Sequence, residues 1–336
     1  MSTFFLEYNS RIIFDSLKNY IDRKDSFYII DDYFCNLSLG AGSNATRFFF
    51  LQATEKNKTL QTAEKILHQL QAENIKRSDT IVAIGGGITL DIAAFCASVY
   101  KRGCKLFLIP TTLIGMIDAC IGGKTGLNLN HIKNQIGSFY PASEVIIDFT
   151  LLKTLPEKEI KNGFAELIKI MIIKDRTFFE QDFEDITTNL QDYIIKAINY
   201  KLVICQNDLH DHGMRQVLNL GHTIAHLLET VSNNEISHGD AVAKGLEFIL
   251  QYSYLQKLIS KEKKDRILAY LYHFCNKVTI TPDILDKIKS QGQNILLADK
   301  KASDRVKIIL INDIGVELFE VQDIGEFVDE VTWDYI

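Results

Sequence analysis

Apolar positions follow two different rhythms along this chain. Before about residue 150 they come as short blocks: residues 25–32 (DSFYIIDD) and 46–53 (TRFFFLQA) hold apolar runs bounded by polar residues, which predicts short buried strands. Residues 59–75 (TLQTAEKILHQLQAENI) instead space Ala63, Ile66, Leu67 and Leu70 along one helical face. Residues 79–87 (DTIVAIGGG) end an apolar strand pattern in three glycines. They lead into a helical pattern over 88–103 (ITLDIAAFCASVYKRG) that Gly103 closes. KLFLIP (105–110) is a further buried strand, stopped by Pro110. Strands alternating with helices predict a mostly parallel sheet with helices on both faces.

Near Pro156 the rhythm lengthens. Residues 157–173 (EKEIKNGFAELIKIMII), 190–206 (LQDYIIKAINYKLVICQ) and 239–259 (GDAVAKGLEFILQYSYLQKLI) all read as long helices, with tail strands at 305–313 and 315–321. The expected organisation is an α/β domain over 1–155 and an α-helical domain over 156–336, comfortable for 336 residues.

A net charge of −6 points to neither a nucleic-acid nor a membrane-surface partner. Cys35, Cys96, Cys104, Cys120, Cys205 and Cys275 are scattered and form no CxxC pair, the usage of a reducing compartment. The N-terminus lacks a basic segment followed by an apolar one, and no apolar run reaches the roughly 18 residues a bilayer span needs. The expected setting is the cytoplasm.

Five stretches carry candidate chemistry. Gly85, Gly86 and Gly87 allow a phosphate to approach the backbone at the start of a helix; a tight strand-to-helix turn explains them equally well. Residues 110–141 (PTTLIGMIDACIGGKTGLNLNHIKNQIGSFYP) set Asp118, Lys124, Asn128, Lys133 and Asn134 among glycines, an anion cradle rather than a casual solvated loop. In 163–170 (GFAELIKI), Glu166 and Lys169 share a helical face among apolar residues, either as a buried pair that must be satisfied or as an exposed ion pair. In 214–229 (MRQVLNLGHTIAHLLE), His222 and His226 face one side if the stretch is helical, which suits a shared metal. Residues 236–245 (ISHGDAVAKG) add His238, so Glu166, His222 and His238 form a second set: two histidines and a carboxylate, a catalytic zinc pattern with one open position. Spacing favours the His222–His226 pair and decides neither.

Taken together, GGGxxxD, PTTL, GGKTGLN, KN, TLP, AELIK, GMRQVLNLGHTIAH and HGDAVAKG, in that order over about residues 55–315, resemble the 3-dehydroquinate synthases and the wider sugar-phosphate cyclases. The resemblance implies an α/β NAD-binding domain, an α-helical metal-binding domain and an active site between them. It implies Zn2+ or Co2+ on Glu166, His222 and His238, with His226 turned instead to the substrate phosphate beside Lys124, Asn134 and Asn219. Lys201 and Arg215 correspond to a cationic pair for the substrate carboxylate, Asp118 and Lys169 to contacts with its hydroxyls, and Lys300 to a phosphate-site lysine. Arg102 matches an arginine lent to the neighbouring subunit, which implies a homodimer. For NAD the corresponding positions are Asp31, Glu55, Lys58, Gly85, Gly86, Gly87, Asp91, Thr111, Thr112, Lys124 and Lys133. The implied reaction converts 3-deoxy-D-arabino-heptulosonate 7-phosphate to 3-dehydroquinate and phosphate by transient oxidation, β-elimination, re-reduction and aldol closure.

Five positions depart from the family pattern. Leu90 replaces the glycine before Asp91, Ala119 and Cys120 replace a serine pair, Asp211 shortens a glutamate on the substrate side, and Tyr33 replaces an asparagine for the NAD ribose. Ala119 and Cys120 lean towards the valiolone-forming cyclases, which act on sedoheptulose 7-phosphate. Lys201, Arg215, Asn219 and His226 lean the other way, because only a carboxylate-bearing substrate needs that cationic pair. A metal-dependent polyol dehydrogenase is expected to lack the lysine-bearing cradle, and a non-catalytic relative to have lost a metal ligand or Lys124.

Overall fold

The structure, a computed structural model, describes residues 3–5, 10–21, 23, 25–35, 47–130, 132–299 and 306–321. The chain divides into two compact units, Met1–Pro156 with Lys201–Asp211, and Glu157–Tyr200 with His212–Ile336.

The first unit holds β1 (Thr3–Phe5), β2 (Arg11–Phe14), β3 (Ser26–Asp31), β4 (Arg47–Leu51), β5 (Thr80–Gly85), β6 (Lys105–Pro110), β7 (Leu127–Leu129), β8 (Ile132–Ile136) and β9 (Glu144–Ile147). Its helices are α1 (Leu60–Ala72) and α2 (Gly87–Val99). Seven strands form one sheet in the order β1-β2-β9-β6-β5-β3-β4; β1 pairs antiparallel at the edge and the rest are parallel. Phe27, Tyr28, Ile29 and Ile30 are fully enclosed, as befits a parallel strand covered on both faces. One face packs Tyr28, Ile30, Val82, Ile84, Phe107 and Ile109 against Leu17, Tyr20 and Phe34. Strands β7 and β8 make a separate antiparallel pair within the lysine-bearing segment.

The second unit contains α3 (Glu157–Lys174), α4 (Phe183–Thr188), most of α5 (Leu190–Asn207), α6 (His222–Val231), α7 (His238–Leu255), α8 (Lys261–Phe274), α9 (Pro282–Asp299) and the hairpin β10 (Val306–Asn312) with β11 (Gly315–Val321). Helix α7 runs through the middle, packed against α3, α6, α8 and β10. Its Val242, Leu246, Ile249 and Leu250 are buried, each contributing roughly 1.5–3 kcal/mol.

Two glycine contacts set the spacing of these helices. A β-carbon at Gly239 would lie 2.3 Å from the Asn162 carbonyl oxygen, and one at Gly245 would lie 2.1 Å from that of Gly221. Only glycine lets the start of α7 lie on α3 and its middle lie on the entry to α6. Residues 214–229 are not one continuous helix. Met214–Asn219 is a 3-10 turn, Gly221 sits in left-handed backbone at φ 77°, and α6 begins afresh at His222.

Candidate active site

In the first unit, strand β5 runs straight into the triple glycine and α2 starts at Gly87. A side chain at Gly85 would meet Thr89 at 2.6 Å, and one at Gly86 would meet Thr112 at 3.2 Å, so the turn is tight as well as bare. Thr111 is buried and donates its N–H to the Gly85 carbonyl at 3.0 Å. The buried Lys58 lies 2.6 Å from Asp91 Oδ2 and donates to Asn134 Oδ1 at 2.7 Å. Burial lifts the Asp91 carboxyl above its ordinary range, against the pull of Lys58. Asn128 donates to Glu55 Oε1 at 2.7 Å and accepts from the Asn134 N–H at 3.0 Å, tying Glu55 to the same network. Asn134, expected beside the phosphate, thus shares Lys58 with the expected dinucleotide residues. Asp31 ends β3 and accepts from the Tyr33 N–H at 3.1 Å, and burial raises its carboxyl. Tyr33 is itself exposed and Lys133 is half-buried.

Two further lysines of this unit meet carboxylates. Lys201 of α5 donates to the Asp118 carbonyl at 2.7 Å and also binds the Asp118 carboxylate. Lys124 pairs with Asp211, whose backbone is left-handed at φ 59°. Arg102 is exposed and also left-handed, at φ 64°.

In the second unit, Glu166 and Lys169 are both enclosed on α3, with Lys169 Nζ 2.5 Å from Glu166 Oε2. The other carboxylate oxygen faces two imidazoles: Oε1 lies 3.5 Å from His222 Nε2 and 3.4 Å from His238 Nε2. Zinc bonds of about 2.05 Å in a tetrahedron put neighbouring ligand atoms about 3.3 Å apart, so these separations suit one small cation. Among the described residues, Glu166, His222 and His238 are the one such cluster of acidic, histidine or cysteine donors. No protein donor makes a well-formed hydrogen bond to either Glu166 oxygen among the described residues, as expected of a carboxylate kept for a cation.

Charge around the cluster suits a cation. Burial pushes Glu166 up, yet Lys169, His238 and His222 outweigh it and keep the carboxyl ionised, well below its usual range. Burial and then Lys169 push His222 down to about 3, leaving a neutral ring. Burial also opposes the charged form of His238, but the adjacent Glu166 and Glu229 carboxylates prevail and raise its pKa. His226, one turn after His222, is half-buried with its ring centroid 5.7 Å from that of His222, and does not join the cluster. Arg215 is buried on the 3-10 turn and Asn219 is exposed at its end. Lys300 lies outside the described residues.

Glu229 is the residue that sequence reasoning missed. It is buried, with Oε1 3.3 Å from His238 Nδ1. The available signal was an acidic residue two helical turns beyond His222 on an apolar face.

A family profile described as 3-dehydroquinate synthase N-terminal matches residues 48–162, and its C-terminal counterpart matches 163–302. The chain is 33% identical to a 3-dehydroquinate synthase of Alkaliphilus oremlandii over 350 residues, covering 98% of this chain and 95% of that protein. It is 39% identical to one from Tropheryma whipplei over 297 residues, covering 80% and 78%. Among solved structures it is similar to a 2-epi-5-epi-valiolone synthase from Streptomyces hygroscopicus with NAD+ and Zn2+ bound, with a TM-score of 0.83, 25% identity, and 100% and 99% of the two chains covered. Among the described residues no helix is long and apolar enough to cross a membrane.

Proposed function

This chain belongs to the 3-dehydroquinate synthase family, and from that premise we propose that it converts 3-deoxy-D-arabino-heptulosonate 7-phosphate to 3-dehydroquinate and inorganic phosphate in the shikimate pathway. It is an NAD- and divalent-metal-dependent lyase that couples transient oxidation to β-elimination, re-reduction and intramolecular aldol closure. When bound, NAD takes and returns one hydride, and zinc or cobalt supplies Lewis-acid polarisation of the carbinol.

The residues divide the remaining work. Glu166, His222 and His238 hold the metal. Gly85, Gly86 and Gly87 receive the dinucleotide, with Asp31, Glu55, Lys58, Asp91, Thr111, Thr112 and Lys133 around it. Lys201 and Arg215 bind the substrate carboxylate, to which a guanidinium offers two parallel donors. Asp118 and Lys169 orient the hydroxyls. Lys124, Asn134, Asn219, His226 and Lys300 surround the phosphate, and Asp211 holds Lys124 until it arrives. Arg102 completes the phosphate site of a second copy, so the enzyme acts as a homodimer; its exposure on a left-handed turn supports that role. The cytoplasm is the proposed setting, consistent with six free thiols.

The observation that carries this reading is the convergence of Glu166, His222 and His238 at the spacing of a tetrahedral site. A valiolone-type activity has Ala119 and Cys120 in its favour. The Cys120 thiol, however, is buried, bonded back to the Met116 carbonyl at 3.4 Å and pushed up to about 12, so it does not replace a serine hydroxyl towards a substrate. The test is phosphate release by the zinc- and NAD-supplied protein with 3-deoxy-D-arabino-heptulosonate 7-phosphate and with sedoheptulose 7-phosphate. Release from the first alone is expected; release from the second alone would overturn the carboxylate roles of Lys201 and Arg215.

A further inference from the structure

We propose that Glu229 is a positioning residue for the metal centre: it anchors His238 from behind and sets how tightly the site retains its ion. The inference rests on Glu166, His222 and His238 being that centre.

The two histidines are held in different ways. Both point Nε2 at Glu166 Oε1, which leaves Nδ1 as the outward nitrogen of each ring. His222 Nδ1 lies 3.2 Å from the Leu220 carbonyl oxygen, an uncharged acceptor in its own chain segment. His238 Nδ1 lies 3.3 Å from Glu229 Oε1, a carboxylate from a different helix. His222 opens α6 and Glu229 lies two turns further along it, so one helix supplies both a ligand and the support for the next ligand.

An Nδ1–H donated to an acceptor fixes the tautomer and frees Nε2 for the metal; a carboxylate acceptor also makes the ring a stronger donor. His238 is the ligand in need of such support. Its side chain is 37% exposed and it is the first residue of α7, whereas His222 is 13% exposed. Glu229 is only 2% exposed, so it acts on that ring with little screening by water. Removing such a partner costs about 10- to 100-fold in metal affinity.

The experiment is zinc competition against a chelating dye, run on the full-length protein and on Glu229→Gln, with the visible absorption of the cobalt-loaded forms. Gln keeps the shape of the side chain and removes the charge. Zinc is expected to bind on the order of 10- to 100-fold more weakly, with a shifted cobalt spectrum. Glu229→Asp, which keeps the charge on a shorter arm, should fall between parent and Gln, and it serves alone if the Gln variant does not fold. Unchanged zinc affinity and cobalt spectrum in either folded variant would overturn the role of Glu229 while leaving the centre standing. Loss of metal-free stability with no spectral change would reduce Glu229 to a packing residue. A parent protein that binds no zinc would overturn the centre itself.

Discussion

The cation-bearing loops of the first unit and the donor cluster of the second solve opposite electrostatic problems. In the first unit three of the lysines assigned to ligands already have carboxylate partners: Lys58 meets Asp91, Lys124 meets Asp211 and Lys201 meets Asp118. An incoming anion need only take over one of these lysines from its internal partner, so none of the three waits as a bare cation. In the second unit a single carboxylate oxygen faces two imidazole nitrogens, a fitting set of donors for a metal. Exchangeable ion pairs suit a ligand that comes and goes. A converging cluster built on a buried carboxylate suits an ion that stays.

The comparison breaks most severely if a donor is lost. His238→Ala is expected to purify without stoichiometric zinc and to lose several kcal/mol of transition-state stabilisation, on the order of a thousandfold in rate. Metal analysis of the dialysed variant checks this, and full zinc content would remove His238 from the ligand set. Gly245→Ala comes next, because its β-carbon collides with the Gly221 carbonyl and must push α6 from α7. We expect it to lose about 1–3 kcal/mol of stability and to bind zinc more weakly; calorimetric melting within a degree of the parent would show that the helix contact is not strained.

Removal of a lysine partner should be milder. Lys201→Met is expected to lower kcat/KM by on the order of 10- to 100-fold, the worth of a charge-assisted hydrogen bond, chiefly through KM. An unchanged KM would detach Lys201 from substrate binding. Proton release tests the donor cluster from another side. His222 is neutral at ordinary pH, while metal-free His238 holds its proton up to a pKa of about 10. Zinc must therefore displace about one proton rather than two, and its affinity should rise with pH from about 7 towards 10. Titration calorimetry in buffers of different ionisation enthalpy counts that proton. The smallest effect belongs to Asp211→Asn: Lys124 is half-exposed, so loss of the pair should cost under about 1 kcal/mol of stability while altering KM for the phosphorylated substrate.

Much of the molecule was legible in order along the chain. The buried strands 26–31, 80–85 and 105–110, the glycine turn after β5 and the long helices all follow from local rules: apolar periodicity, backbone without side chains and the position of proline. The identity of the candidate residues was legible as well, because Glu166, His222, His238 and the lysines lie inside compact motifs.

Their grouping was legible only through the family resemblance, not from spacing. Spacing alone pairs His222 with His226, yet the structure sets His222 beside His238, because Gly221 on Gly245 and Gly239 on Asn162 let three helices approach closely. Those contacts join residues far apart in the chain, so no local period encodes them. The partners of Lys58, Lys124 and Lys201, the placing of Lys201–Asp211 with the first unit, and the reach of Glu229 to His238 arise in the same way. Sequence determined which elements form and which side chains hold chemistry, since both depend on neighbours along the chain. Tertiary structure decided which of those side chains meet, since close packing between distant segments sets distances to the ångström.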